Sequence, residues 1–226
     1  MSLTTGRGPL SPEPIGRFSE PVPRGVVYVE PHRRRVQAVL GGKLVVDTER
    51  ALVVHRPGRT LTFAFLPDEI GSLPWEEEPE APGYVAVPWD AVDVWYEEGR
   101  RLVHYPPNPY HRVDCRPTNR RLTVDVAGTL LVDTDDTVIV FETALAPVLY
   151  VRPDLVRTDL LRRTDSTSYC NYKGYATYWA AVIGDTVVED VAWSHDDPLA
   201  ESDLLRGHFS FDLTRADVVA DLPEGS

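Results

Sequence analysis

At 226 residues with 42% hydrophobic content, the chain is long enough for two packed cores and too apolar for global disorder. Its formal net charge of −12 is the wrong sign for non-specific nucleic-acid binding and for docking on anionic membranes, so neither is expected as a partner. Two cysteines, Cys115 and Cys170, are too few for a disulfide framework, which makes a reducing cytoplasm the expected compartment.

Residues 1–24 hold several prolines and glycines and no apolar run, and read as a flexible arm, not a signal peptide or membrane span. Strand-like text follows. Residues 35–47 form two apolar runs around Gly41 and Gly42, a β-hairpin signal, and residues 51–55 and 60–65 supply two further runs. The acidic, proline-rich stretch 75–83 reads as a solvated loop, and Tyr84–Val87 and Trp89–Tyr96 as the last pieces of a first module. The prolines of 105–110 mark an extended connector.

The pattern then starts again. Residues 27–56 align with 113–142 without gaps at a constant offset of 86, matching Arg34–Arg35 with Arg120–Arg121 and Val46–Asp47–Thr48 with Val132–Asp133–Thr134. A later block, Tyr84–Val94, resembles His208–Val218 at an offset of 124, so the second copy is longer by about 38 residues. This predicts a mainly β protein of two tandem modules of antiparallel sheet: an arm (1–24), a shortened first module (25–114) and a complete second one (115–222). A short helix of about two turns is expected within 153–161, a hairpin from Tyr175–Ile183 and Thr186–Trp193 across Gly184–Asp185, and a second short helix within 198–205.

Every plausible reactive group lies in or beside the extra stretch. The chain has 21 arginines but only two lysines, Lys43 and Lys173. Lys173 sits among Tyr169, Tyr172, Tyr175, Tyr178 and Trp179, where an ammonium suits an anionic or carbonyl ligand; if desolvated it would act as base or nucleophile. Cys170, three residues away, is a second nucleophile candidate, since a neighbouring cation lowers a thiol's pKa. Glu142 and Asp190 are candidates to orient the lysine, His195 to shuttle protons, Arg152 to clamp an anion, and Tyr172, Tyr178, Trp179 and Trp193 to wall a cleft. Cys115 reads as packing near the boundary between copies. No cofactor or metal site is expected.

Cys170-x-Tyr172-Lys173-Gly174, Tyr178-Trp179, Glu189-Asp190-x-Ala192-Trp193-Ser194 and Pro198, with Phe141-Glu142-Thr143, Tyr150 and Arg152-Pro153-Asp154 upstream, resemble the DUF427 family of bacterial and fungal proteins. The resemblance covers roughly 115–221, and the first copy looks like a shortened member without the Cys-x-Tyr-Lys-Gly segment. It implies coiled antiparallel sheets of the β-tent kind. Relatives of that architecture often hold zinc through Cys-x-x-Cys pairs, which this chain lacks. Two positions depart from the family pattern: Asn171 replaces the usual proline and His195 the usual aromatic residue. The resemblance assigns no activity. An older label of nucleotidyl transfer finds no phosphate-cradling glycine loop here. The expected function is a small-molecule site centred on Lys173; the alternatives are a non-catalytic interaction module and, last, a nucleotidyltransferase.

Overall fold

A computed structural model describes residues 3–23 and 25–224. The chain is mainly β, built of several antiparallel sheets with only short 3₁₀ turns and no closed barrel. It divides into two compact units at the His111/Arg112 junction. No helix among the described residues is long and apolar enough to cross a membrane.

The first unit contains β1 (Tyr28–Pro31), β2 (Val36–Leu40), β3 (Lys43–Thr48), β4 (Leu52–His55), β5 (Thr62–Phe65), β6 (Glu76–Glu77), β7 (Val85–Ala86), β8 (Val94–Glu97) and β9 (Arg100–Leu102). They form two sheets, ordered β1-β4-β5-β7-β6 and β3-β2-β8-β9. Alternation along β2 puts Val36 and Ala38 inside, where they join Val46, Val53, Phe65, Ile70 and Trp95 in one core. The β2–β3 turn places Gly41 and Gly42 at φ of +57° and +73°, the double positive-φ geometry that a two-residue hairpin demands and glycine supplies without strain. Residues 3–23 carry turns and no strand; Thr4 is buried, and its carbonyl accepts the Gly58 N–H at 3.1 Å.

The second unit runs β10 (Val113–Thr118), β11 (Leu122–Val126), β12 (Thr129–Thr134), β13 (Thr137–Glu142), β14 (Val148–Tyr150), β15 (Leu161–Cys170), β16 (Gly174–Ile183), β17 (Thr186–Ser194), β18 (Phe209–Phe211) and β19 (Asp217–Ala220). Its sheets are β10-β13-β14, β12-β11-β19 and β15-β16-β17-β18.

The matched positions of the sequence do matched work. The β2–β3 ladder shifts register between Ala38 and Val39, and β11–β12 shifts between Val124 and Asp125. Arg35 pairs with Asp47, and Arg121 with Asp133. Thr48 Oγ1 accepts the Arg50 N–H, and Thr134 Oγ1 accepts the Asp136 N–H. The units part at one step. Phe65 pairs with Val85 across β5 and β7, and Val151 bridges Phe209 at the equivalent place. Between these partners the first unit spends residues 66–84, and the second spends 152–208 on three long strands and their connections.

The expected hairpin forms with its Gly184–Asp185 turn. The expected helices do not form as α-helices. Residues 153–161 make two separate 3₁₀ turns, Pro153–Leu155 and Thr158–Leu160, broken where Val156 is extended (φ −112°, ψ 141°). So short a helix cannot repay its nucleation, and Leu155, Val156 and Leu160 each pack on the core from this irregular backbone instead. Residues 200–205 likewise form 3₁₀ turns, kinked at Ser202.

Burial ranks the side chains for stability. Leu122, 2% exposed in β11, is expected to cost about 2–5 kcal/mol on truncation to alanine. Val219, 70% exposed in β19, is expected to change stability by no more than about 0.5 kcal/mol. Urea unfolding of the two variants checks the contrast.

Candidate functional site

The site is assembled from four separated segments of the second unit. Strand β13 ends at Glu142, and β14 contributes Val148 and Tyr150. The β15–β16 hairpin supplies Cys170 and a tight turn, and β17 ends beside His195. Cys170 pairs with Gly174, so residues 171–173 make the turn. Gly174 sits at φ +88°, and a Cβ there would meet the Asp197 carbonyl at 3.4 Å and Leu199 at 3.5 Å, which explains the glycine in two ways. The turn is held from the following loop: Leu199 N–H donates to the Lys173 carbonyl (3.1 Å), and Ser202 Oγ donates to the Tyr172 carbonyl (3.2 Å).

Tyr172 and Lys173 then serve different ends. Tyr172 is buried in a small core with Val113, Val138, Val140, Tyr150 and Leu205. Lys173, its side chain 16% exposed, forms an ion pair and hydrogen bond with Glu142, 9% exposed. Burial disfavours the lysine's charge, but Tyr150 and Glu142 outweigh it and hold Lys173 above its ordinary value. The geometry thus keeps an ammonium in place and works against a free amine nucleophile.

Beside this pair lies a pocket of about 290 Å³, at the lower end of the usual 300–1,000 Å³ for small-molecule sites. Glu142, Cys170, Lys173, Tyr178, Trp193 and His195 all line it, joined by Tyr150, Ser168, Tyr169 and an apolar set that includes Val140, Leu145 and Val148. Trp193 Nε1–H donates to Tyr150 Oη at 2.9 Å, and Ser168 Oγ and Tyr178 Oη are 3.0 Å apart. His195 is 2% exposed, and its Nδ1 lies 3.0 Å from the Tyr175 carbonyl. A carbonyl only accepts, so Nδ1 carries the proton and Nε2 is left as an acceptor; Nε2 is buried and has no partner among the described residues. Burial, with Lys173 nearby, pushes the His195 pKa below its ordinary value, so the ring is neutral at pH 7.

Three of the other expected residues lie outside this pocket, as does Tyr172. Trp179 packs edge-on against Phe209 (5.3 Å between centroids) and donates to Ser194 Oγ at 3.0 Å, which makes it core. Asp190 adopts φ +51° and accepts hydrogen bonds from Thr164 Oγ1 (2.7 Å) and Ser166 Oγ (2.8 Å), holding the irregular middle of β17, where the ladder to β16 shifts register. Arg152 pairs on the surface with Asp136 (3.2 Å) and Asp154 (3.3 Å). Cys115 stands near the start of the second unit, close to the His111/Arg112 junction. It lies in β10 of the second unit and packs on the same core as Cys170, and burial raises its pKa. Both cysteines are free thiols. Tyr150 was legible only as a motif residue; its position over the pocket depends on the pairing of β13 with β14.

What these elements define is an all-β domain whose longest hairpin folds a charged turn back over a small polar-floored pocket. Residues 114–222 match the family model of a domain of unknown function, DUF427, and the second unit belongs to that family. Comparison with curated proteins finds no match.

The pair and the histidine generate two expectations. Lys173→Met removes the ammonium that faces buried Glu142 and is expected to cost about 3–5 kcal/mol, whereas Lys173→Met/Glu142→Leu should recover most of that loss; urea unfolding measures both. His195 has a folded pKa below its unfolded value of about 6.5, so protons bind the unfolded chain preferentially. Its contribution is present above about pH 6.5 and is lost as the pH falls. His55 of the first unit is shifted in the same direction by burial. The acid-side loss of melting temperature should therefore become shallower, not vanish, in His195→Phe, followed by scanning fluorimetry from pH 7.5 to 5.

Proposed function

We propose that the second unit is a small-molecule-binding module that takes a ligand with a carbonyl or carboxylate group into the pocket beside Lys173. The observation that carries this reading is convergence. A fixed ammonium, a neutral imidazole and the Tyr150 phenol meet at one cavity that also carries Glu142, Ser168, Tyr169 and Tyr178 beside an apolar set. Pockets with a few converging polar groups on an apolar lining are the usual form of a ligand site, and a buried ion pair is a weak device for stability alone. The ammonium polarises a carbonyl, and the neutral imidazole accepts a proton. We further propose that the first unit is a shortened relative of the second; the recurring ladder shifts and Arg–Asp pairs support it.

A structural reading has its own support. The Lys173–Glu142 pair also ties the hairpin turn to the end of β13, which is work that a non-catalytic scaffold needs.

Ligand-observed NMR with benzoate and acetophenone separates the two. Binding to wild type that is lost in the folded Lys173→Met/Glu142→Leu variant is expected. Binding that the double variant leaves unchanged would remove Lys173 from the site, and the absence of binding to wild type would favour the scaffold.

A further inference from the structure

We propose that the pocket selects an uncharged ligand carrying a hydrogen-bond acceptor and a hydrogen-bond donor side by side, as a primary amide does, and that Tyr150 and His195 read this pair. The proposal rests on the small-molecule reading above and narrows its ligand class.

Tyr150 and His195 are each 2% exposed, both line the pocket, and their rings lie 6.4 Å apart between centroids. Tyr150 Oη already accepts the Trp193 Nε1–H at 2.9 Å, and no described residue accepts its own proton. The hydroxyl is thereby committed to donate. His195 has the opposite commitment: the Tyr175 carbonyl fixes the proton on Nδ1, so the unpartnered Nε2 accepts. Burying polar groups without partners is unfavourable, which makes a ligand that satisfies both at once the favoured occupant. A ligand acceptor faces Tyr150 and a ligand donor faces His195.

Charge points the same way. Glu142 compensates Lys173, and the imidazole is neutral, so the cavity holds no uncompensated cation for a carboxylate. A carboxylate would also set a lone pair against the His195 Nε2 lone pair. The two N–H groups of Lys173 that do not face Glu142 remain available to a carbonyl oxygen. Val140, Leu145, Val148 and Trp193 suit an apolar or aromatic body.

Three probes of one shape test the idea on the full chain: benzamide (acceptor and donor), acetophenone (acceptor only) and benzoate (acceptors, charged). Titrations followed by ligand-observed NMR are expected to rank benzamide first by about three- to tenfold, the range that one hydrogen bond contributes. His195→Phe should erase that margin while leaving acetophenone unchanged. Tyr150→Phe should weaken benzamide and acetophenone together. The wild-type ranking needs no variant to fold. Benzoate or acetophenone binding as tightly as benzamide, in a manner that depends on Lys173, overturns the amide selectivity and leaves the small-molecule site standing. Failure of all three probes to bind overturns both.

Discussion

The Lys173–Glu142 pair is the constraint around which the second unit's chemistry is arranged. Its members come from a hairpin turn and from the end of a strand 31 residues earlier. Both are largely removed from water, where a lone charge would be far more costly than the pair. The pairing fixes the turn at residues 171–173, keeps the lysine protonated and leaves the adjoining pocket without net charge. It also reaches the neighbouring groups. Lys173 helps depress the His195 pKa and offsets part of the burial that raises the Tyr150 pKa. Burial is the larger cause of both shifts, and the ion pair adds to the one and opposes the other.

The two units share local features and differ in one interval. The hairpin, its ladder shift, its Arg–Asp pair and its threonine-capped turn recur in both. These features are solutions to local problems: closing a two-residue turn, relieving a register mismatch and satisfying a backbone N–H. They occur with and without the pocket, so their job is the fold. The pocket comes from what is inserted between Val151 and Phe209. The first unit fills the equivalent interval between Phe65 and Val85 with a loop and a two-residue strand. Three long strands in its place bring Cys170, Lys173, Trp193 and His195 up against β13 and β14.

Some of this site was legible beforehand and some was not, for identifiable reasons. The scarcity of lysine singled out Lys173, and the internal match located the segment that only one copy carries. Both signals are local and survive in one dimension. The sorting of aromatic residues was not visible. Tyr172 and Trp179 go to the core while Tyr178 and Trp193 face the pocket, because each residue's side depends on the turn at 171–173 and on a register shift between Trp179 and Ala181. Asp190 and Arg152 found nearer partners, Thr164 with Ser166 and Asp136 with Asp154 respectively. A sequence does not rank such competitors by distance.

By itself, the sequence determined the β class, the doubled hairpin and the region of chemical interest, because alternation, turn glycines and repeats are short-range patterns that the backbone obeys directly. The tertiary structure alone decided which groups share a cavity and in what protonation state. Glu142 meets Lys173, and Trp193 meets Tyr150, only after sheets distant in sequence pair and pack. The unshared acceptor on His195 exists because the Tyr175 carbonyl, 20 residues earlier in the chain, is folded against its other nitrogen.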